Sequence, residues 1–188
     1  MIRKAMMTDL DSIMEILQTI IIEMHKDNNF QWDENYPKSK DFANDIEKGD
    51  LFVSVRENSV VGFICINRDQ PLEYRILKWS AAENEFVIHR MGVSPYYRNT
   101  GIGAELIKFA DELSISFGVT CLKTDTNSLN TKAQRLFQKS GYNFVGEIWL
   151  PGKEKPFFCY EKSLKYLQKK QPLLNWKELL GCMERRSS

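Results

Sequence analysis

The stretch Val93-Ser94-Pro95-Tyr96-Tyr97-Arg98-Asn99-Thr100-Gly101-Ile102-Gly103-Ala104 decides how the rest of the chain is read. The residues leading into it, from Glu85 to Val93, are rich in Val, Ile and Phe and read as a strand that Pro95 closes. Beyond it, Leu106, Ile107, Ala110, Leu113 and Ile115 recur at helical spacing, which predicts a helix from residue 101 to about residue 117. A strand thus ends in a proline turn, and two glycines open a helix. Glycine permits the φ values and the close backbone approach that a phosphate cradle needs. The helix start adds N–H groups with no intrahelical partner and the positive end of the macrodipole, which together favour an anion. Arg98 is positioned to add charge or to brace the loop.

Two other phosphate motifs do not fit. A Walker loop needs Gly-Lys-Ser/Thr after its glycines, and Ala104-Glu105 stands there instead. The dinucleotide fingerprint needs three glycines and a later acidic residue, whereas only Gly101 and Gly103 are present.

Upstream of this stretch, residues 2–6 read as a short strand, and Thr8 reads as an N-cap with Asp11 as its capping-box partner. Leu10, Ile13, Leu17, Ile20 and Met24 then predict a helix to about Lys26. Ser39 is expected to cap a second helix that Gly49 stops. Residues 51–56 and 60–67 read as a hairpin around Glu57-Asn58-Ser59, and a charged connection spans residues 68–81. Downstream, residues 119–125 read as a strand, 130–140 as a helix ended by Gly141, and 142–150 and 156–164 as two strands. The predicted order is β-α-α-β-β-β-α-β-α-β-β, an α/β fold with a mixed sheet flanked by helices. It divides the chain into a domain over residues 1–164 and a basic, partly helical tail over residues 165–188, which either packs back on the domain or mediates a homodimer.

Composition narrows the function. The 188 residues are 43% hydrophobic and 27% charged, ordinary for a globular domain. Twenty-six basic against 25 acidic side chains leave a formal charge of +1, which argues against a nucleic-acid binder. Four scattered cysteines and two histidines form no metal-ligand pattern, so no metal is expected. No apolar run approaches the roughly 20 residues that span a bilayer, and no signal-peptide pattern opens the chain. The expectation is a cytoplasmic protein without membrane contact.

A second informative segment is Asn130-Thr131-Lys132-Ala133-Gln134-Arg135-Leu136-Phe137-Gln138-Lys139-Ser140-Gly141-Tyr142. It looks like the N-x-x-A-x-x-L-Y-x-K-x-G-F segment of the GNAT family of N-acetyltransferases. In that family R/Q-x-x-G-x-G/A, here residues 98–103, marks the acetyl-CoA pyrophosphate loop. The resemblance covers residues 1–164 and implies an acetyl-CoA-dependent transferase acting on an amine of a small molecule or peptide. It implies pyrophosphate contacts from Arg98, Asn99, Thr100, Gly101, Ile102, Gly103 and Ala104. Backbone groups of Met91, Gly92 and Val93 would meet the pantetheine. Asn130 would contact CoA, unless it serves only as a helix cap, and Ala133 would leave room for the co-substrate.

The sequence departs from the family at Phe137, where many members carry a tyrosine near the CoA sulfur. Phenylalanine cannot donate a proton, so Tyr142, Tyr160 or water is expected to protonate the departing thiolate, and a non-catalytic acyl-CoA-sensing domain is the alternative. His89 is the candidate base, since an imidazole of pKa about 6.5 suits proton abstraction at neutral pH. It shares strand parity with Glu85, Val87, Met91 and Val93, and Glu85 and Asp125 are further candidates. The resemblance implies an acceptor pocket walled by the connection between the first two helices, so the acceptor is expected at Gln31, Trp32, Asp33 and Tyr36, together with Asp125, where an aromatic face and carboxylates suit a cationic amine.

Overall fold

The computed structural model describes residues 1–80 and 84–165; the tail expected after Lys165 lies outside them. Seven strands form one mixed sheet in the order β1-β2-β3-β4-β5-β7-β6. They are β1 (Ile2–Lys4), β2 (Leu51–Arg56), β3 (Ser59–Asn67), β4 (Glu85–Val93), β5 (Cys121–Asn127), β6 (Asn143–Ile148) and β7 (Phe157–Ser163). The helices are α1 (Leu10–Lys26), α2 (Ser39–Lys48), α3 (Ile102–Ser116) and α4 (Thr131–Lys139). The element order is the one read from the sequence.

The β2–β3 hairpin turns through Glu57 and Asn58 at φ 49° and 62°, the left-handed pair that matches the twist of antiparallel strands. Alternation along β3 explains the layers. Phe63 and Cys65 pack with Ile13, Leu17 and Ile20 of α1 and Phe42 of α2. Ile64 and Ile66 pack with Leu106, Ile107 and Ala110 of α3. Both faces are covered, so β3 reads as a continuous apolar run. A third group joins Tyr74 to Val87, Ile148, Phe157 and Cys159, so the charged connection read from the sequence is anchored by a buried tyrosine.

Two helix starts differ from the sequence reading. Thr8 does not cap α1: a short 3-10 turn at Met7–Asp9 precedes it, and Asp9 Oδ2 accepts the Met6 amide at 2.8 Å. Asp9 is also held by Arg3, so the chain enters α1 through the 3-10 turn, with Asp9 and not Thr8 at the N-cap position. Ser39 is the first residue of α2 rather than its cap; the Lys38 amide donates to Asp41 Oδ2 at 2.7 Å.

Strand β4 departs from regular pairing twice. Ile66 pairs with Ile88 and Ile64 with Met91, so His89 and Arg90 together face Cys65, a β-bulge. Ile88 and Met91 consequently lie on the same, α3 side of the sheet, while Val87 faces the other. The parity that grouped Val87 with His89 and Met91 is therefore broken. Parallel pairing of β4 with β5 stops at Ile88 and Thr124. Past that point residues 91–93 pair only with β3, and residues 125–127 only with β7. The sheet opens there as a wedge.

Candidate active site

A groove of ≈ 530 Å³ follows the wedge from the start of α3 to the loop after α1. Its inner wall is the free edge of β4 at Met91, Gly92 and Val93, opposite Thr124, Asp125 and Thr126 of β5. Gly92 is required for packing: a Cβ there would lie 2.6 Å from Phe63 Cζ and 2.7 Å from Ile20 Cδ1, so α1 rests directly on this strand.

The outer end has the geometry of an anion cradle. Asn99 and Gly101 have φ values of 61° and 89°, and these left-handed turns lead the chain into α3. No atom lies within 4 Å of a Cβ built on Gly101, so glycine serves the conformation there. The first N–H groups of α3, at Ile102, Gly103 and Ala104, border the groove and by helix geometry lack carbonyl partners. Arg98 and Asn99 line this end, whereas Thr100 does not; its hydroxyl donates to the Tyr97 carbonyl at 2.6 Å. The Arg98 guanidinium is ion-paired with Glu23 of α1, so it braces the loop. Nothing local in the sequence links these two, which lie 75 positions apart. Ala133, Leu136, Phe137, Lys132 and Lys139 add the α4 wall. Asn130 borders the groove and also caps α4, its Oδ1 accepting the Ala133 amide at 3.2 Å.

The inner end gathers Asp125, His89, Gln31 and Trp32. Asp125 Oδ2 accepts a hydrogen bond from the Tyr74 hydroxyl at 2.7 Å, and burial pushes its carboxyl up to about 6. His89 Nε2 lies 2.7 Å from Asn67 Oδ1. Burial and then the Arg90 charge push this imidazole down to about 4. Gln31 Oε1 accepts from Thr126 Oγ1 at 2.9 Å and from the Asn127 amide at 3.0 Å, strapping the loop after α1 across to β5. Trp32 is only 5% exposed and stacks near Phe63, so it anchors this loop as well as lining the groove.

Other candidates lie off the groove. Asp33 pairs with Lys153 at 3.1 Å. The Tyr36 hydroxyl accepts from Arg90 at 2.6 Å, and Arg90 also holds both Asp45 oxygens at 2.8 and 2.7 Å. Glu85, at the far end of β4, binds Lys123 at 2.9 Å and Gln70 at 2.8 Å. Tyr142 is buried with its hydroxyl unpartnered and its ring 5.7 Å from that of Phe137; Tyr160 is buried beside the same ring. Neither tyrosine lines the groove. The sequence reading missed Tyr74 as the partner of Asp125 and Glu23 as the partner of Arg98. Among the described residues no cluster of three or more His, Cys, Asp or Glu is arranged to hold a metal ion, and no helix is long and apolar enough to cross a membrane.

The profile of the acetyltransferase (GNAT) family matches residues 17–142. A Staphylococcus aureus structure assigned as an acetyltransferase shares 32% identity over 87% of this chain and 99% of its own, with a TM-score of 0.69. A GNAT-family acetyltransferase from Streptococcus agalactiae shares the fold at 23% identity and a TM-score of 0.76, covering 87% of this chain and 94% of its own. A ribosomal-protein-alanine N-acetyltransferase from Brucella melitensis does so at 19% identity and 0.66, covering 87% and 99%. No curated protein sequence matches the chain significantly.

Proposed function

The chain belongs to the acetyltransferase (GNAT) family, and from that premise we propose that it moves an acetyl group from acetyl-CoA to a primary amine of a small molecule or peptide, by direct attack in a ternary complex. The observation that carries this reading is the parting of β4 from β5 beside the N-terminus of α3. An acyl-CoA needs an anion site and a narrow slot with free backbone groups for its amide-bearing arm, and this groove has both. Family membership does not favour a non-catalytic sensing domain.

The α3 amides and the left-handed turns at Asn99 and Gly101 suit the pyrophosphate. Lys132 and Lys139 add positive charge along the same wall. Residues 91–93 offer unpaired strand edge to the pantetheine, so that the thioester is directed toward Asp125.

There the C–N bond forms, the C–S bond breaks, and the nitrogen loses a proton. Asp125 is the group suited to take it, directly or through water. A carboxyl of pKa about 6 is ionised at neutral pH yet more basic than an ordinary aspartate. His89, whose conjugate acid is stronger, is the poorer base. Phe137 supplies no proton to the sulfur; a thiol of pKa about 8.5 is a tolerable leaving group without one.

The test is release of free thiol from acetyl-CoA by the purified chain with a panel of primary amines, alongside calorimetry for acetyl-CoA. Amine-dependent thiol release is expected. Binding without turnover across the panel would refute the transferase reading.

A further inference from the structure

Resting on this acetyl-transfer reading, we infer that Tyr74 is the positioning residue for the base: its hydroxyl holds Oδ2 of Asp125 and leaves Oδ1 to take the amine's proton.

The contact is long-range and specific. Tyr74 lies in a short 3-10 turn, Leu72–Ile76, 51 positions from Asp125 along the chain. It is 1% exposed and packs with Val87, Ile148, Phe157 and Cys159. A phenylalanine would fill that apolar site equally well, so packing alone does not call for the hydroxyl. The hydroxyl instead donates to Asp125 Oδ2 at 2.7 Å. Asp125 lines the groove and Tyr74 does not, so the tyrosine acts through the carboxylate.

The tyrosine is itself fixed. Trp79 Nε1 donates to the Tyr74 carbonyl at 2.8 Å, and the two rings lie 4.8 Å apart. The Lys123 amine sits over the Trp79 ring, 4.7 Å from its centroid. Lys123 precedes Asp125 by two residues on β5 and shares its face by strand alternation. Glu85 holds it at 2.9 Å and Gln70 at 3.1 Å. Gln70, Tyr74 and Trp79 thus fasten one segment to successive side chains on one face of β5. A carboxylate anchored in this way meets the amine in one rotamer, so little orientation remains to be lost as the reaction proceeds. Glu85, a candidate for the chemistry itself in the sequence, secures the far end of the network.

The same hydrogen bond sets basicity. Burial raises the Asp125 carboxyl, and the Tyr74 hydrogen bond, which favours the charged form, lowers it, for a balance of about 6. Groups from other elements also face Asp125: Cys159 opposite it on β7, Tyr36 with its partner Arg90, and His89 across the groove. Burial pushes Cys159 and Tyr36 up and His89 down, so all three are neutral near pH 7. Asp45 pairs with Arg90, and Glu85 with Lys123. Tyr74 is the one whose hydroxyl bonds the carboxylate directly.

The experiment compares the unmodified protein with Tyr74→Phe, Asp125→Asn and the double variant, by thiol release from acetyl-CoA with the fastest of the panel amines. The amine's own protonation is common to all four proteins and cancels in the comparison. Tyr74→Phe should lower kcat about 10- to 100-fold on the plateau above the acidic limb, with KM for acetyl-CoA within a factor of a few. It should also move the acidic limb of kcat/KM upward from about 6, by about one to two pH units. In the Asp125→Asn background the same substitution should change kcat by no more than about twofold. An unmoved limb, or an undiminished loss without the carboxylate, would overturn the inference and leave Tyr74 a packing residue. Should Tyr74→Phe fail to fold, NMR of the unmodified protein decides. The Cζ signal of Tyr74 should then shift with the midpoint of the kinetic limb, and a signal fixed across that range would overturn the coupling. Absence of thiol release by the unmodified protein with every amine, despite calorimetric binding of acetyl-CoA, would instead remove the transferase reading and this inference with it.

Discussion

Asp125 and His89 line one groove, yet their surroundings move them in opposite directions, to about 6 and about 4. The kinetic consequence comes from Asp125, which accepts a proton only when ionised. The acidic limb of kcat/KM for acetyl-CoA should therefore have an apparent pKa of about 6. Asp125→Asn should lower kcat by about 10²- to 10⁴-fold, remove that limb, and leave acetyl-CoA affinity within a factor of a few. His89→Ala should cost less than Asp125→Asn at pH 8; the reverse order would move the base to the imidazole. Stability carries a second signature. Asp125 titrates near 3.9 when unfolded and at about 6 in the fold, so its contribution is present at low pH and lost as pH rises through that window. His89 titrates near 6.5 when unfolded and at about 4 in the fold, so its contribution is present above pH 6.5 and lost as pH falls toward 4. The two oppose each other over the same range. Removing Asp125 leaves the histidine unopposed, so Asp125→Asn should lose on the order of 2 kcal/mol relative to wild type between pH 6.5 and 4. His89→Gln should show the opposite slope. Thermal unfolding as a function of pH measures both, and identical profiles in all three proteins would reject the shifts.

At the scale of the element, β4 does three things in nine residues: it pairs on both sides at its start, bulges at His89 and Arg90, and then presents a free edge to the groove. Its packing leaves no spare volume at Gly92, where a methyl group would collide with Phe63 and Ile20. Gly92→Ala should destabilise the protein by about 1–3 kcal/mol, read from the urea midpoint at constant slope, and should raise the acetyl-CoA Kd by shifting the strand edge. A variant as stable as wild type would mean that α1 can move away. The limits of β4 were legible in the sequence because Phe86, Val87 and Ile88 open a strand-like segment that Pro95 closes. The start of α3 was legible because its two glycines and periodic leucines are local signals. The bulge was not, since Val87, His89 and Met91 alternate without a break and the extra residue appears only in the register with β3. Asp125 read as a strand-end carboxylate because Tyr74, which holds it, lies 51 positions away. Tyr142 looked available as an acid because nothing in its segment announces burial against Phe137, Tyr160 and the Lys162 amine.

In the whole molecule the groove lies along a seam. β1 to β4 with α1 and α2 form one flank, β5 to β7 with α4 the other, and the parallel β4–β5 register that joins them is only four pairs long. Further links across it include α3, packed on β3, β4 and β5, the Glu85–Lys123 ion pair at the closed end, and side-chain ties along the groove: Gln31 to Thr126, Asp27 to Lys132, Tyr74 to Asp125 and Lys153 to the loop after α1. A ligand seated in the wedge touches both flanks, so its binding free energy opposes their separation as well as unfolding of either one. At about 100 times its Kd, acetyl-CoA should add about 2.7 kcal/mol. For a domain of this size that corresponds to a rise in Tm of roughly 5–10 °C. A sharper readout separates binding at the anion cradle from occupation of the wedge. CoA should slow hydrogen exchange at the amides of Met91 and Val93, whereas CoA stripped of its pantetheine arm should protect only the start of α3. Equal protection of the β4 edge by the truncated ligand would mean that the arm does not lie between the strands, and that the gap between β4 and β5 has another use.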